Sequence, residues 1–166
     1  MLAHNVIILT AGRVDELRRG RLDQLIELVR ELKKTPILVL GPDGDDLIRT
    51  ISRLEDCEIV FDPNFTGEEF SSVKAGLQAT GEPCFLVRAS GPLPTRETFA
   101  SLERELLGGQ VSGVDVFATP DHEDPDAVLL VTQRGVRALK GKPASMRWLK
   151  SNDIGFRFVG VNQTFK

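Results

Sequence analysis

Four short, largely apolar runs, each followed by a small or polar loop and then by a helical pattern, constrain the fold of this chain most strongly. The runs occupy residues 6–9, 37–40, 58–61 and 84–87. Continuous apolar runs of this length are typical of parallel strands that are buried on both faces. Strands that alternate with helices predict right-handed crossovers and a mostly parallel sheet between two layers of helices. We therefore predict a three-layer α/β/α fold.

The helices are predicted from apolar residues that recur at helical spacing. The firmest helix covers residues 22–33, a second covers 45–54, a third contains 71–77, and Thr95 is predicted to cap a fourth. Gly76 stands inside the third helix, where glycine costs about 1 kcal/mol relative to alanine. We therefore expect a neighbouring element to pack closely against Gly76.

The pattern is less regular after residue 109. Strands are predicted over 114–116 and 127–131, a short helix over 145–150, and a last strand over 156–161. No internal repeat, low-complexity tract or linker interrupts the chain, and a chain of 166 residues can bury about two-thirds of its unfolded surface. We therefore expect one domain over residues 1–166.

Composition excludes several classes of protein. Cys57 and Cys84 stand without a C-x-x-C pair, which argues against a zinc ribbon or a disulfide framework and favours a reducing cytoplasm. We expect both to be small buried apolar residues. No apolar run approaches the roughly 20 residues that span a bilayer, and no signal-type segment opens the chain, so we expect no membrane partner. The net charge is −3 and the basic run Arg18, Arg19 and Arg21 falls in a predicted helix, so we expect no nucleic-acid partner.

The strand pattern also predicts where a ligand would bind. In open α/β sheets, ligands bind outside the carboxyl ends of the strands. The loops that follow the first four strands are residues 10–13, 41–44, 62–67 and 88–94. These loops are the candidate site.

The first loop has the composition of a phosphate-binding turn. Gly12 belongs to a small-residue turn whose backbone N–H groups can face a phosphate, and Arg13, Arg18, Arg19 and Arg21 supply guanidinium groups. A plain strand-to-helix turn with a solvated basic helix face explains the same residues equally well, since no Walker or dinucleotide fingerprint is present.

Other polar segments allow both a functional and a structural interpretation. Ser71 and Ser72 can hydrogen-bond a ribose, base or phosphate, although N-capping alone is the more frequent role of such serines. The acidic run 121–126 offers oxygen ligands for a divalent metal but lacks EF-hand spacing, so a solvated loop is favoured. We expect His4 and His122 to lie at the surface.

The order of these segments resembles that of the MobA-like nucleotidyltransferases, the family of molybdenum cofactor guanylyltransferase and molybdopterin cytidylyltransferase. Residues 6–12 resemble the family's opening strand and L-A-G-G turn, and 71–77, read S-S-V-K-A-G-L, resemble its S-S-L-x-A-G-L. Residues 90–93, read S-G-P-L, stand where the family has D-x-P-L, and 158–164 are similar to its closing N-V-N-T segment. The resemblance covers nearly the whole chain and implies a Rossmann-like sheet of the glycosyltransferase-A type.

The resemblance also implies a set of site residues. Those that it places at a nucleotide are Ala11, Gly12, Arg13, Arg21, Ser72 and Ser90. By family position, Ser90 and Asn162 would occupy the metal region. The family's activity implies GTP or CTP and molybdopterin as substrates, Mg²⁺ as the cofactor of an active enzyme, and a protein partner in molybdoenzyme maturation.

Two departures from the family pattern leave two hypotheses. The basic loop of the family, with its R-M-G and following lysine, is shorter here, and Ser90 replaces the aspartate that holds magnesium; a neutral hydroxyl does not substitute for a carboxylate toward a hard cation. An active transferase of GMP or CMP would need another ligand, with Asp62 or an acid of 121–126 as candidates. The alternative is a non-catalytic relative that binds a nucleotide, a pterin or a partner protein.

Overall fold

A computed structural model describes residues 2–10, 16–42, 44–51, 54–62, 65, 69–90, 93–119 and 127–160, of which 16–20, 45, 46 and 50 are described by their backbone alone. The described residues form one seven-stranded sheet in the order β3-β2-β1-β4-β6-β5-β7. The strands are β1 Asn5–Leu9, β2 Ile37–Leu40, β3 Glu58–Phe61, β4 Cys84–Arg88, β5 Val116–Thr119, β6 Val128–Val131 and β7 Phe156–Phe158.

The sheet is parallel except around β6. β1 pairs in parallel with β2 and β4, and β3 pairs in parallel with β2. β6 runs antiparallel to both of its neighbours, and β7 returns parallel to β5. The prediction of a mostly parallel α/β sheet is confirmed.

Helices cover both faces of the sheet. They are α1 Glu16–Glu31, α2 Gly44–Thr50, α3 Glu69–Thr80, α4 Arg96–Leu107 and α5 Gln133–Lys140, with short 3-10 turns at Leu54–Asp56 and Trp148–Lys150. One buried core joins α1, α2 and α4 to one face of the strands, and a second joins α3, α5 and Trp148 to the other face. None of the described helices is long and apolar enough to cross a membrane.

Alternate residues of the central strands divide between these two cores. Ile8 of β1 packs with α1, whereas Ile7 and Leu9 pack with α3. Side chains of successive strand residues point to opposite faces, and here both faces are apolar. This double burial is the reason that the strands appear in the sequence as continuous apolar runs.

Gly76 and Thr95 behave as the sequence predicts. A Cβ at Gly76 would lie 2.9 Å from Ile7 Cγ2, so the missing side chain lets α3 approach β1 closely. The Thr95 side chain accepts a hydrogen bond from the backbone N–H of Thr98 and caps α4. Glycine at position 76 is therefore a packing requirement, as expected.

The second half differs from the prediction in detail. β5 begins at Val116, where the sequence pattern indicates a strand over 114–116, and β7 ends at Phe158 instead of residue 161. Helix α5 was not predicted, because its eight residues contain a glycine and few apolar positions. The predicted helix over 145–150 is only a 3-10 turn at Trp148–Lys150.

Candidate functional site

The sheet has a topological switch point between the carboxyl ends of β1 and β4. The chain passes from β1 outward to β2 and β3, and then returns to β4 on the other side of β1. The connections that leave β1 and β4 therefore lead toward opposite edges of the sheet, although the helices that follow them, α1 and α4, pack on the same face. Such a switch point is where open α/β sheets bind their ligands.

Hydrogen bonds to backbone carbonyls continue past the strand ends on both sides of β1. The Ala89 N–H donates to the Leu9 carbonyl at 2.9 Å. On the other side of β1, the Thr10 hydroxyl donates to the Val39 carbonyl at 2.6 Å, and Thr10 is buried. The chain is therefore fixed through Thr10, which is the first residue of the first candidate loop.

Some predicted nucleotide residues lie outside the part of the chain that the structure describes. Ala11, Gly12, Arg13 and the predicted metal residue Asn162 are among these, as is the acidic run 121–126. Arg21 is described, and it is exposed to solvent in α1.

Asp62 binds both serines of the S-S-V-K-A-G-L segment, residues 71–77. The Asp62 N–H donates to the Leu40 carbonyl at 2.8 Å, which continues the β2–β3 ladder by one residue. The Asp62 carboxylate is buried, and its Oδ2 accepts from Ser71 Oγ at 2.5 Å and Ser72 Oγ at 3.1 Å. This cluster ties the beginning of α3 to the end of β3. Neither the nucleotide-contact interpretation nor simple N-capping anticipated this arrangement, in which the serine hydroxyls donate to a buried carboxylate.

Ser72 is fully buried, so its hydroxyl faces Asp62 and not solvent. A buried carboxylate needs hydrogen-bond donors, and here the hydroxyls of Ser71 and Ser72 provide them. The signal that could have revealed the cluster is an aspartate directly after a strand and a pair of serines at the next helix.

Ser90 lies just beyond β4 and is partly exposed. Asp62 continues β3, whereas Ala89 continues β4. These strands are three positions apart in the sheet, which corresponds to about 14 Å at about 4.8 Å per strand. Because the Asp62 carboxylate is also directed at Ser71 and Ser72, the arrangement does not fit one metal ion shared by Asp62 and Ser90.

The described residues contain no cluster of three or more His, Cys, Asp or Glu side chains that could hold a metal ion. The neutral Ser90 hydroxyl is a poor ligand for a hard cation without carboxylate neighbours. Within the described part of the chain, the side chains therefore do not fit a magnesium site.

A second polar network, which sequence analysis missed, lies at the end of β4. The Arg88 guanidinium binds the Glu69 carboxylate through two hydrogen bonds, from Nε to Oε2 at 2.6 Å and from a terminal nitrogen to Oε1 at 3.0 Å. The Trp148 indole N–H donates to Glu69 Oε1 at 3.3 Å. The sequence signal for this network was Arg88, which stands at the end of an apolar run. An arginine that is nearly buried requires a charged partner.

The two cysteines are not nucleophiles at neutral pH. Burial raises the pKa of the Cys84 thiol to about 12. Burial and then the nearby Asp56 carboxylate raise the pKa of Cys57 to about 11. Cys84 is fully buried, as expected, whereas Cys57 is only partly buried.

His4 is not the surface residue that the sequence suggested. Its side chain is 17% exposed, and its Nδ1 lies 3.6 Å from Glu103 Oε1. The imidazole also meets the Phe85 ring edge-on at 6.4 Å between centroids. The neighbouring Ala3 N–H donates to the same carboxylate. Glu103 therefore anchors the residues that precede β1, and His4 is one of them. His122 lies outside the described residues.

The fold is similar to that of a solved structure. The chain is similar to the crystal structure of molybdopterin-guanine dinucleotide biosynthesis protein A from Archaeoglobus fulgidus, with a TM-score of 0.54 and 19% sequence identity. The match covers 82% of this chain and 71% of that one. No protein-family model and no curated protein matches the chain. At this identity the likeness establishes a shared MobA-like α/β fold.

Proposed function

We propose that this chain binds a nucleoside triphosphate at the switch point between the ends of β1 and β4, as a non-catalytic relative of the MobA-like nucleotidyltransferases. The observation that carries the proposal is the strand order, which places the switch point directly beside the small-residue loop after Leu9. The name of the similar structure refers to a guanine dinucleotide, which favours GTP among the nucleotides. A cytoplasmic protein fits this chemistry.

The proposed contacts are those that the sequence predicts for the loop after β1. We propose that backbone N–H groups of Ala11 and Gly12 bind the phosphates and that the guanidinium groups of Arg13 and Arg21 neutralise them. Ser90 lies on the β4 side of the same switch point.

Ser72 has a different role in this proposal. Its buried hydroxyl is held by Asp62, so it acts on the nucleotide through the alignment of α3. The network of Arg88, Glu69 and Trp148 supports the same end of α3 from the β4 side.

The described side chains favour binding over transfer. Magnesium neutralises the charge that develops on the phosphates during nucleotidyl transfer, so an active enzyme needs carboxylate ligands there. Asp62 is committed to two serines, and Ser90 is neutral. Binding without transfer is therefore the function that this geometry supports best.

The alternative is an active enzyme that transfers GMP or CMP to molybdopterin and delivers the product to a partner in molybdoenzyme maturation. One observation favours keeping it, since the fold is shared with a protein named for this synthesis. It requires a metal ligand from outside the described residues, with Asn162 or the 121–126 run as the candidates.

Thermal unfolding of the full chain with GTP, CTP or ATP, each with and without magnesium, tests the proposal. A ligand at about 100 times its Kd stabilises the folded state by about 2.7 kcal/mol, which raises Tm by about 5–10 °C for a chain of this size. We expect such a rise with GTP in the absence of magnesium, and no pyrophosphate release when molybdopterin is added. No rise with any nucleotide would overturn the proposal.

Three variants sharpen the test. Arg21→Glu should abolish most of the rise, whereas Lys33→Glu, an exposed control of equal charge change beyond the end of α1, should preserve it. Ser90→Asp should make nucleotide binding depend on magnesium. A magnesium-dependent rise with pyrophosphate release in the unmodified chain would instead establish the active enzyme.

A further inference from the structure

The segment 133–150, here called the basic segment, has a charge opposite to that of the rest of the chain. Its 18 residues hold six basic side chains and no acidic one. The remaining 15 basic and 24 acidic residues give the rest of the chain a formal charge of −9. The six are Arg134, Arg137, Lys140, Lys142, Arg147 and Lys150.

The basic segment follows α3 from its carboxyl end to its amino end. A Cβ at Gly81, which follows α3, would lie 3.8 Å from Lys140 Nζ. At mid-helix, Lys74 Nζ donates to the Lys142 carbonyl at 2.5 Å. At the amino end, the Trp148 ring packs 5.9 Å from the Phe70 ring. The contacts therefore span the 12 residues of α3, a length of about 18 Å.

Apolar anchors fix the basic segment to the molecule. Val136, Leu139 and Trp148 are buried in the same core as α3. Arg137 and Lys150 are exposed. The fold thus holds this length of chain firmly while Arg137 and Lys150 face solvent and Lys140 and Lys142 are half-buried.

Among the described residues, two of these cations lie beside an identified carboxylate. The buried Asp115 pairs with Arg134 at 3.0 Å, and Asp153 lies 4.0 Å from Lys142. Within the described part of the chain, no carboxylate forms an ion pair with Lys140 or with the exposed Arg137 and Lys150.

The dipole of α5 explains only part of the pattern. Arg137 and Lys140 are in its last turn, where cations are favourable. Arg147 and Lys150 lie beyond that helix. A continuous row of like charges also repels itself, so helix stability alone does not account for it.

We propose that the basic segment is a docking surface for an acidic stretch of a protein partner. About five to six extended residues cover the same 18 Å at about 3.3 Å each, so a short run of Asp and Glu matches its length and its charge. The partner would lie beside the candidate site, because Trp148 donates to Glu69, which binds Arg88 at the end of β4. The docking does not depend on nucleotide binding.

The observations favour a protein over a nucleic acid. Single-stranded nucleic acids bind through aromatic side chains that stack on bases, but Trp148, which is the single aromatic residue of the basic segment, is buried. A longer polyanion would also run onto the acidic remainder of the molecule, whose charge repels it.

Fluorescence anisotropy of the full chain with a labelled peptide of about eight glutamates tests the proposal, with a labelled oligothymidylate of about the same charge as the comparison. We expect the peptide to bind at about 0.05 M salt, more tightly than the oligonucleotide, and to be released near 0.5 M. Arg137→Glu with Lys150→Glu should weaken binding by about tenfold or more. The matched control, Lys33→Glu with Arg49→Glu, reverses two exposed cations elsewhere and should change the affinity less than about twofold.

Several outcomes would overturn the proposal. These are the absence of peptide binding at low salt, an equal loss in both double variants, and tighter binding of the oligonucleotide, which would assign the surface to nucleic acid. Salt-sensitive self-association in sedimentation, without peptide binding, would assign it to a second copy of the chain. The two double variants should retain the nucleotide-induced rise in Tm, so a failure here is distinguishable from a failure of nucleotide binding.

Discussion

Gly135 marks a very close approach between α5 and the strands β5 and β6. A Cβ at this position would lie 2.1 Å from the Asp115 carbonyl oxygen and 2.8 Å from Val131 Cγ1. The obstacle is backbone, which cannot rotate away as a flexible side chain can. The same residue takes part in the N-cap of α5, because the Gly135 N–H donates a hydrogen bond to Thr132 Oγ1 at 3.0 Å. Position 135 therefore has no room for any side chain.

We predict that Gly135→Ala lowers the free energy of unfolding by about 2–3 kcal/mol, the upper part of the range for overpacked sites. Gly141→Ala is the control, since a Cβ there would meet only the Ala138 carbonyl, at 3.7 Å. Its effect should stay within about 0.5 kcal/mol. Urea unfolding of both variants measures the difference, and equal values would show that α5 can shift away from β5.

Cysteine reactivity provides a pH-dependent test of burial. The pKa of Cys57 is raised to about 11 by burial and by Asp56, and that of Cys84 to about 12 by burial. Thiolate is the reactive form. At pH 8, native Cys57 should therefore react with iodoacetamide about 100-fold more slowly than an ordinary thiol of pKa 9.0. The reason is that the two pKa values differ by about 2, so the thiolate fractions differ by about 100-fold. Mass spectrometry of native and urea-unfolded chain measures both sites.

The same shifts determine how stability changes with pH. A thiol whose pKa is raised in the folded state does not change stability below its unfolded pKa, and disfavours the fold above it. Stability should consequently fall as pH rises from about 9 toward 11. A Cys57→Ser variant should lose part of this fall, and rapid alkylation of native Cys57 at pH 8 would contradict the assignment.

At the scale of elements, the Arg88–Glu69 pair connects the end of β4 to the beginning of α3. Both ends of the carboxylate are bound, and the Arg88 side chain is only 10% exposed. Charge pairs shielded from water interact more strongly than exposed ones. The pair therefore fixes where α3 starts relative to the switch point.

A double-mutant cycle with Arg88→Met and Glu69→Gln should give a coupling free energy of about 1–3 kcal/mol that changes little with salt. The exposed pair of Arg96 and Glu31, whose side chains are 62% and 48% exposed, is the control and should give less than about 0.5 kcal/mol. Equal couplings in the two cycles would mean that solvent screens the inner pair as fully as the outer one.

Strands and helices were predicted correctly where the apolar pattern of their own residues was sufficient. β2 was predicted at its observed bounds, because it is buried on both faces and appears as a continuous apolar run. β3 was also predicted at its observed bounds, although it is a partly exposed edge strand. Helix α5 was missed, because its stability depends on the cap from Thr132 and on the close fit of Gly135 against β5. Contacts of that kind depend on strands that are distant in the sequence.

At the scale of the whole molecule, one sheet is shared by both cores. Trp148 reports on the α3 side, where it is buried among Phe70 and Phe156. Helical ellipticity reports on both layers. A single domain over residues 1–166 implies that these two signals are lost together.

Urea unfolding followed by tryptophan fluorescence and by circular dichroism should therefore give coincident transitions with one midpoint. The chain has a single tryptophan, so the fluorescence signal needs no assignment. Two separated midpoints would show that the α3 side unfolds on its own, and would make the single-domain expectation wrong.

The sequence alone determined the alternation of buried strands and helices and the need for a close contact at Gly76. It also predicts the carboxyl edge of the sheet as the place for a ligand, which stays a prediction. These properties depend on periodicity and on local propensity, which neighbouring residues carry. Tertiary structure decided that Asp62 holds Ser71 and Ser72, and that Arg88 finds Glu69. Those pairs bring together side chains from different elements, and their geometry exists only after the sheet has placed the strand ends side by side.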